Sequence, residues 1–260
     1  MNLLWSTFLR HAARQSNVGS IRQLDGVEAA WVHSVLIINN GTYLTSPASG
    51  EAKLRTRLAT ASEDALPHKL PWALYLYGPY VASLTSQQVS AAVAEFGLAP
   101  VMGVQVMTAG VHALRPSARP LPALEYRRIT TREESWIAFD INLRSYGMPL
   151  FMADSVLETS AYFSDRKREF GFLAFVGIVP VSTATVIELD GWLYVALVAT
   201  DPDHRQKGYA EAVMRHALTV AASEWKIDRT SLDASLMGAP LYHQMGYQYT
   251  GEIWTMYAPA

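Results

Sequence analysis

The feature that most constrains this chain is a corner. The apolar run LYVALVA (residues 193–199) meets the polar turn TDPDHRQKG (200–208), and YAEAVMRHALTVAAS (209–223) follows at once. A short run rich in Val, Leu and Tyr, bounded by a turn, reads as a buried strand. After the turn, Ala210, Val213, Met214, Ala217 and Ala221 recur at three- and four-residue steps, with Glu211 and Arg215 as an outward pair. That spacing predicts a helix with one buried face. A buried strand feeding directly into a half-buried helix is a building block of α/β folds.

The same corner has chemistry. The first N–H groups of a helix lack intrahelical partners, and the helix dipole leaves about half a positive charge there, so the turn is an anion site before any side chain is counted. Gly208 has no Cβ and lets a ligand approach the backbone, and Ala210 is nearly as small. Arg205 and Lys207 add positive charge.

Composition narrows the partners. The chain has 260 residues, half of them hydrophobic, enough for one large domain or two smaller ones. Lys plus Arg number 21 against 23 Asp plus Glu, a net charge of −2, so no global basic field favours nucleic acid or an anionic membrane. The absence of cysteine excludes disulfides, thiolate metal sites and cysteine nucleophiles, and is compatible with a reducing cytoplasm, the expected location. Two apolar runs, FGFLAFVGIVPVSTATVI and FGLAPVMGVQVMTAGV, are broken by Pro180, Pro100 and glycines. Both read as buried strands and not membrane spans, the first with a tight turn around Val179-Pro180. No acidic residue precedes Asp25, while Arg10, Arg14 and Arg22 do, a composition shared with organelle-targeting peptides. Leu4, Phe8 and Ala12 lie on one helical face, and the preferred reading is an ordinary amphipathic helix.

Residues 115–128, RPSARPLPALEYRR, carry Pro116, Pro120 and Pro122 and read as a linker, with a domain boundary near Leu124. Before it the pattern predicts helices over 3–14, 51–61 and 87–95 and strands over 32–44, 72–76 and 104–113. Beyond it the expected helices cover 133–143, 156–163, 209–223 and 240–245. The expected strands there cover 173–178, 181–188, 192–199, 231–235 and 249–257, and a loop carries YGMPLF (146–151). The halves echo one another: AEFGLAPVMGVQVM and YHQMGYQYTGEIWTM each end a helix at a glycine, Gly97 or Gly246, before a strand.

Two signatures together carry a resemblance. Arg-x-x-Gly-x-Ala at residues 205–210, preceded by VATDP, resembles the pyrophosphate corner of the GNAT superfamily of acyl-CoA-dependent N-acyltransferases. Downstream, SLDASLMGAPLYHQMGYQYT resembles the closing segment of that family, with Leu241, Tyr242, Gly246 and Tyr247 at its marked positions. Upstream, FLAFVGIVPVSTATVIELDGWLYVALVAT is similar to three antiparallel strands leading into the corner, and the likeness covers residues 126–257. It departs from the pattern at Tyr209, where a small residue is usual, at Gln206, where glycine is frequent, and in SLMGAP, which lacks a frequent Asn. The phosphate loop of nucleotide hydrolases and the dinucleotide Gly-x-Gly-x-x-Gly are absent.

The resemblance implies two GNAT-like α/β (α+β) domains, each a mixed, mostly antiparallel sheet flanked by helices. Residues 1–124 would be degenerate, without a cofactor site, and residues 125–260 catalytic. It implies acetyl-CoA as acyl donor, its pantetheine arm along Val198 and Thr200 and its diphosphate on the N–H groups of Gln206, Lys207, Gly208, Tyr209 and Ala210. Arg205 would shape the loop or only cap the turn. The thioester oxygen would point at the N–H near Val198, where charge develops as an amine attacks. Tyr242 would protonate the departing thiolate, its alternative being core packing. No general base declares itself: Asp233, Glu188, His243 or a water chain remain open. DPDH (201–204) reads as a turn, and no metal is expected. YGMPLF is a candidate lining of the acceptor pocket or an interdomain contact. The acceptor is expected to be an amine, more readily a small molecule than a protein, with no nucleic-acid or membrane partner, and pairing of two copies is left open. A non-catalytic acyl-CoA-binding sensor is the other reading.

Overall fold

The computed structural model describes residues 4–159 and 167–260. The chain divides into two compact units. In order, the elements of the first part are α1 (Leu4–Gln15), β1 (Ser20–Leu24), β2 (Val27–Trp31), β3 (Asn40–Leu44), α2 (Glu51–Ala65), β4 (Ala73–Tyr77), α3 (Ser86–Glu95) and β5 (Leu98–Gly110). The second part contains β6 (Glu125–Arg128), α4 (Arg132–Ser145), α5 (Phe151–Glu158), β7 (Glu169–Val176), β8 (Val179–Leu189), β9 (Trp192–Thr200), α6 (Tyr209–Trp225), β10 (Arg229–Ser235), α7 (Ala239–Met245) and β11 (Gln248–Pro259).

Each unit is an α/β assembly with a mostly antiparallel mixed sheet. In the N-terminal unit β1, β2 and β3 form an antiparallel meander, β3 pairs parallel with β4, and β4 pairs antiparallel with β11. The β1–β2 hairpin turns at Asp25-Gly26, where Gly26 takes φ +70°, a left-handed conformation that glycine adopts without strain. Its core gathers Trp31, Leu54, Leu58, Leu74 and Ala92 between sheet and helices. Leu4, Phe8, Leu9 and Ala12 are buried along one face of α1, as expected of an amphipathic helix.

In the C-terminal unit β6, β7, β8 and β9 are antiparallel neighbours, and β9 pairs parallel with β10. Val213, Met214, Ala217 and Ala221 of α6 join Phe170, Val195, Leu232 and Tyr247 in one core, so most of the spacing read at the corner marks the buried face. Ala210 is only half-buried, and Glu211, expected to face outward with Arg215, is buried. The order β7-β8-β9-α6-β10-α7-β11 repeats β1-β2-β3-α2-β4-α3-β5, and Gly97 and Gly246 occupy matching places at φ +68° and +104°.

Several expectations shift. The strand expected over 32–44 is only β3; a 3-10 turn at Ile37–Asn39 precedes it, and β1 and β2 were not read at all. Each is only five residues long, and Arg22, Gln23 and Glu28 interrupt any apolar alternation. The turn placed at Val179-Pro180 lies at Gly177-Ile178, where Gly177 takes φ +59°; Pro180 stands inside β8, opposite a register shift at Ala174/Phe175. The YGMPLF loop ends at Leu150, since Phe151 starts α5. The helix expected over 156–163 is α5, and residues 160–163 of that expectation lie outside the described residues.

The compact units also do not break at the proline-rich stretch. Residues Met107–Thr250 belong to the C-terminal unit, whereas Gly251–Ala260 belong with Trp5–Val106. The reason is pairing: Trp254 to Tyr257 of β11 lie beside Leu74 to Tyr77 of β4, and the Trp254 ring packs 4.9 Å from that of Tyr77. The stretch itself is anchored. The Arg115 N–H donates to the Met245 carbonyl at 2.9 Å, and the Arg115 carbonyl accepts from Arg215 at 2.6 Å. Prolines remove backbone donors but leave carbonyls free to be held.

Candidate functional site

The site begins with an irregularity in β9. Thr185 of β8 faces Ala196, and Thr183 faces Ala199, so Leu197 and Val198 together oppose the single residue Ala184. This is a β-bulge, and Leu197 takes φ +53° to make it. The Asn142 amide of α4 donates to the Ala138 carbonyl at 2.9 Å and reaches the Leu197 carbonyl at 3.5 Å. Beyond the parallel pairs Leu193–Thr230, Tyr194–Ser231 and Val195–Leu232, β9 runs on past the bulge to Thr200. A cavity of about 670 Å³ is lined by Val198, Ala199 and Thr200 of β9 and by Ser235 at the end of β10.

The corner closes one end of this cavity. Asp201 is buried and anchors the turn: its carboxylate accepts from the Asp203 N–H at 2.9 Å, meets His204 Nδ1 at 3.1 Å and pairs with Arg144. Burial opposes its charge, but hydrogen bonds from His204 and Asp203 and the Arg144 guanidinium outweigh it, holding this carboxyl below the usual range. DPDH is thus a 3-10 turn, Pro202–His204, fixed by its own first residue. Among the described residues no group of three or more His, Asp or Glu is arranged to hold a metal ion.

After the turn, Gln206 takes φ +61° and Gly208 φ +81°. Gly208 caps α6, and among the described residues no protein acceptor receives the N–H groups of Gln206 to Ala210. A concave row of free amides at a helix N-terminus is a ready anion cradle. Gly208 is needed twice over: its φ is left-handed, and a Cβ there would meet the Arg119 guanidinium at 3.3 Å.

Of the residues singled out in the sequence, Val198, Thr200, Arg205, Gln206, Gly208, Tyr209, Ala210 and Tyr242 all line this one cavity. Lys207 is exposed and is not in the wall. Arg205 spends a guanidinium N–H on the Ser145 carbonyl at 2.5 Å, satisfying the last turn of α4 and tying it to the corner. Its role in the turn is therefore structural as well as electrostatic.

Tyr242 stands on α7, its ring over Gly238, where a Cβ would meet the ring at 3.0 Å. Burial first, and then the neighbouring Tyr146 phenol, push the Tyr242 hydroxyl well above the ordinary tyrosine value, so it keeps its proton at any working pH. Tyr146 is half exposed as a residue, and the desolvation of its hydroxyl raises it, partly offset by the Arg205 charge. Tyr146, from the YGMPLF stretch, lines the same cavity with Met237 and Leu241.

The candidate bases do not enter. Glu188 caps the β8–β9 turn, accepting the Gly191 N–H at 2.7 Å, and Asp233 accepts the Tyr194 hydroxyl at 2.7 Å. His243 is exposed, and none of the three lines the cavity. Among the described residues the one carboxylate in the wall is Glu211, held by Arg215 at 2.8 Å. Sequence reasoning missed Asn142, Ser145, Glu211, Ser117 and Arg119. The first two meet β9 and its corner from α4, and Ser117 and Arg119 sit in a stretch read as linker.

Residues 163–249 match the model of the acetyltransferase (GNAT) domain. No curated protein matches the chain. Among solved structures, a GCN5-related N-acetyltransferase from Kribbella flavida is 16% identical, with a TM-score of 0.71 over 98% of this chain and 94% of that one. One from Sphaerobacter thermophilus is 17% identical, with a TM-score of 0.58 over 90% of this chain and 76% of the other. A tandem GNAT protein from the clavulanic acid biosynthesis pathway is 12% identical, with a TM-score of 0.58 over 97% of this chain and 86% of that one.

Proposed function

We propose, from the premise that this chain is a GNAT protein of tandem form with its GNAT acetyltransferase domain at residues 163–249, that it transfers an acetyl group from acetyl-CoA to a primary amine. The observation that carries this reading is the juxtaposition of a bulged, outrunning strand end with free amides at the start of α6, in one cavity. The first suits an extended acyl arm that pairs like an added strand, and the second suits a diphosphate.

In this mechanism Val198 and Thr200 hold the pantetheine arm by backbone pairing, and the N–H groups of Gln206 to Ala210 hold the diphosphate. Arg205 keeps the loop on α4. The Val198 N–H, at the bulge, donates to the thioester oxygen. As the amine nitrogen attacks the carbonyl carbon, negative charge grows on that oxygen and the amide stabilises it. The C–S bond then breaks, and the thiolate takes the Tyr242 proton while the amine proton leaves through water. The N-terminal unit binds no donor. The acceptor is a small amine, working in the cytoplasm.

The test is a thermal-shift panel of acyl-CoAs followed by an amine screen that follows thiol release. Acetyl-CoA should stabilise the protein, and at least one amine should release CoA above the rate of water. A specific observation favours one other reading, an acyl-CoA-binding sensor: the carboxylate in the wall, Glu211, is already paired with Arg215. Acetyl-CoA binding without turnover across the whole amine panel would favour it.

A further inference from the structure

The proline-rich stretch between β5 and β6 lies against the corner. Arg119 donates from Nη1 to the Gln206 carbonyl at 3.2 Å, and its Nη2 and Nε lie 3.3 and 3.4 Å from where a Cβ of Gly208 would stand. Pro122 touches the same point at 3.6 Å. Ser117, Ala118 and Arg119 form part of the cavity wall. We infer that Arg119 is a phosphate ligand of the donor site, clamping the diphosphate of acyl-CoA against the free amides at the start of α6. The inference rests on the proposed donor.

Three observations support it. The first is charge. Among the described residues, Arg119 and Arg205 are the two cations in the wall, and Arg205 is engaged with Ser145. Arg119 has no carboxylate partner among the described residues, whereas Arg127, Arg128, Arg144 and Arg215 each have one. One of its five N–H donors goes to Gln206, and the others remain for a planar, multidentate hold on phosphate oxygens.

The second is preorganisation. Arg115 is pinned to Met245 and to Arg215, and Pro116, Pro120 and Pro122 restrict the chain on either side of Arg119. Less freedom is then lost when a ligand is gripped. The third is Ser117, whose hydroxyl is buried in the wall with no partner among the described residues. A buried hydroxyl without a partner carries a cost that a bound acceptor removes. Lys207, a second basic residue of the corner motif, is exposed and is not part of the cavity wall.

The experiment measures binding of acetyl-CoA, acetyl-dephospho-CoA and S-acetylpantetheine to the wild-type protein and to Arg119→Ala and Arg119→Lys by calorimetry. Arg119→Ala should raise the Kd of acetyl-CoA roughly 10- to 100-fold, as loss of a charged hydrogen bond does. Arg119→Lys should fall between, and the loss should be the same with acetyl-dephospho-CoA. S-acetylpantetheine, which has no phosphate, should bind wild type and variants alike. Equal losses for all three ligands would reduce Arg119 to a support of the loop and overturn the inference. A loss confined to acetyl-CoA would move the contact to the 3′-phosphate and overturn the diphosphate assignment. If wild type binds acetyl-CoA and Arg119→Ala binds it equally well, only the clamp falls; if wild type binds none of the three, the donor reading falls with it.

Discussion

The chain makes the same strand-to-helix corner twice and leaves only one of them open. In the C-terminal unit β9 outruns its parallel partner, bulges at Leu197 and reaches an α6 whose first amides meet no protein acceptor among the described residues. In the N-terminal unit β3 ends at Leu44, one residue beyond its last parallel pair, and no bulge interrupts it. Its corner is filled from within. Arg57 of α2 is buried and folds back to donate to the Ser46 carbonyl and, at 2.8 Å, to the Ser46 hydroxyl. The Ala48 N–H goes to the Tyr80 carbonyl at 2.8 Å and the Ala48 carbonyl receives Ser83 at 3.0 Å. Four residues before the helix-ending glycine, one unit has Tyr242 and the other a buried Val93. The first amides of α2 likewise meet no protein acceptor among the described residues. Connectivity and a helix start therefore make the place for a site in both units, and strand length, one bulge and what fills the corner decide whether it can be used.

The sharpest way to break this comparison is Tyr242→Phe, which makes the C-terminal corner resemble its counterpart at the acid position. Its turnover should fall about 100-fold or more, the usual range for a general acid, with the affinity for acetyl-CoA unchanged. An unchanged kcat with the best amine would remove Tyr242 from the chemistry.

Next is a paired substitution. Gly208→Ala puts a side chain at φ +81° and 3.3 Å from Arg119, whereas Gly50, at the other corner, is extended and has open space around it. Gly208→Ala should weaken acetyl-CoA binding about tenfold and cost about 1–2 kcal/mol of stability. Gly50→Ala should leave both within about 0.5 kcal/mol. Equal behaviour of the two variants in calorimetry and urea melts would erase the distinction.

Arg57→Ala tests the filled corner. It strips the hydrogen bonds from Ser46 and should cost about 1.5–3 kcal/mol in a urea melt, while acetyl-CoA affinity stays put. Acquired acetyl-CoA binding at this corner would mean that Arg57 alone had kept it shut.

The smallest effect is a pH dependence. The depressed folded value of Asp201 means that its stabilisation is present in full above the unfolded value of about 4 and is lost as the pH falls through the folded one. Asp201→Asn should flatten that acid limb of a stability-against-pH curve while lowering stability at neutral pH. An acid limb identical to wild type would show that other carboxylates dominate it.

Much of this was legible in the sequence because the signals are local. The step of Ala210, Val213, Met214 and Ala217, the turn before them, and Leu241-Tyr242 before Gly246 are patterns of period and punctuation within one element or its cap. They marked α6, the corner and α7 almost to the residue. Strands β1 and β2 escaped because Val27 to Trp31, although wholly buried, include Glu28 and two alanines and show no alternation. Arg119 escaped for a different reason, since a proline-rich basic stretch has the composition of a linker whether or not it is docked.

By itself, then, the sequence determined most of the strands and helices, where amides would lie open at a helix start, and which superfamily that corner resembles. Folding alone decided that Arg119 would meet Gln206 across 87 residues and Arg205 would meet Ser145 across 60. It also decided that Leu197 would bulge, that Lys207 would stay out of the cavity wall, and that the last strand would pair with β4. The physical reason is range: propensity and periodicity act over a few neighbours, whereas partners far apart in the chain are chosen by packing.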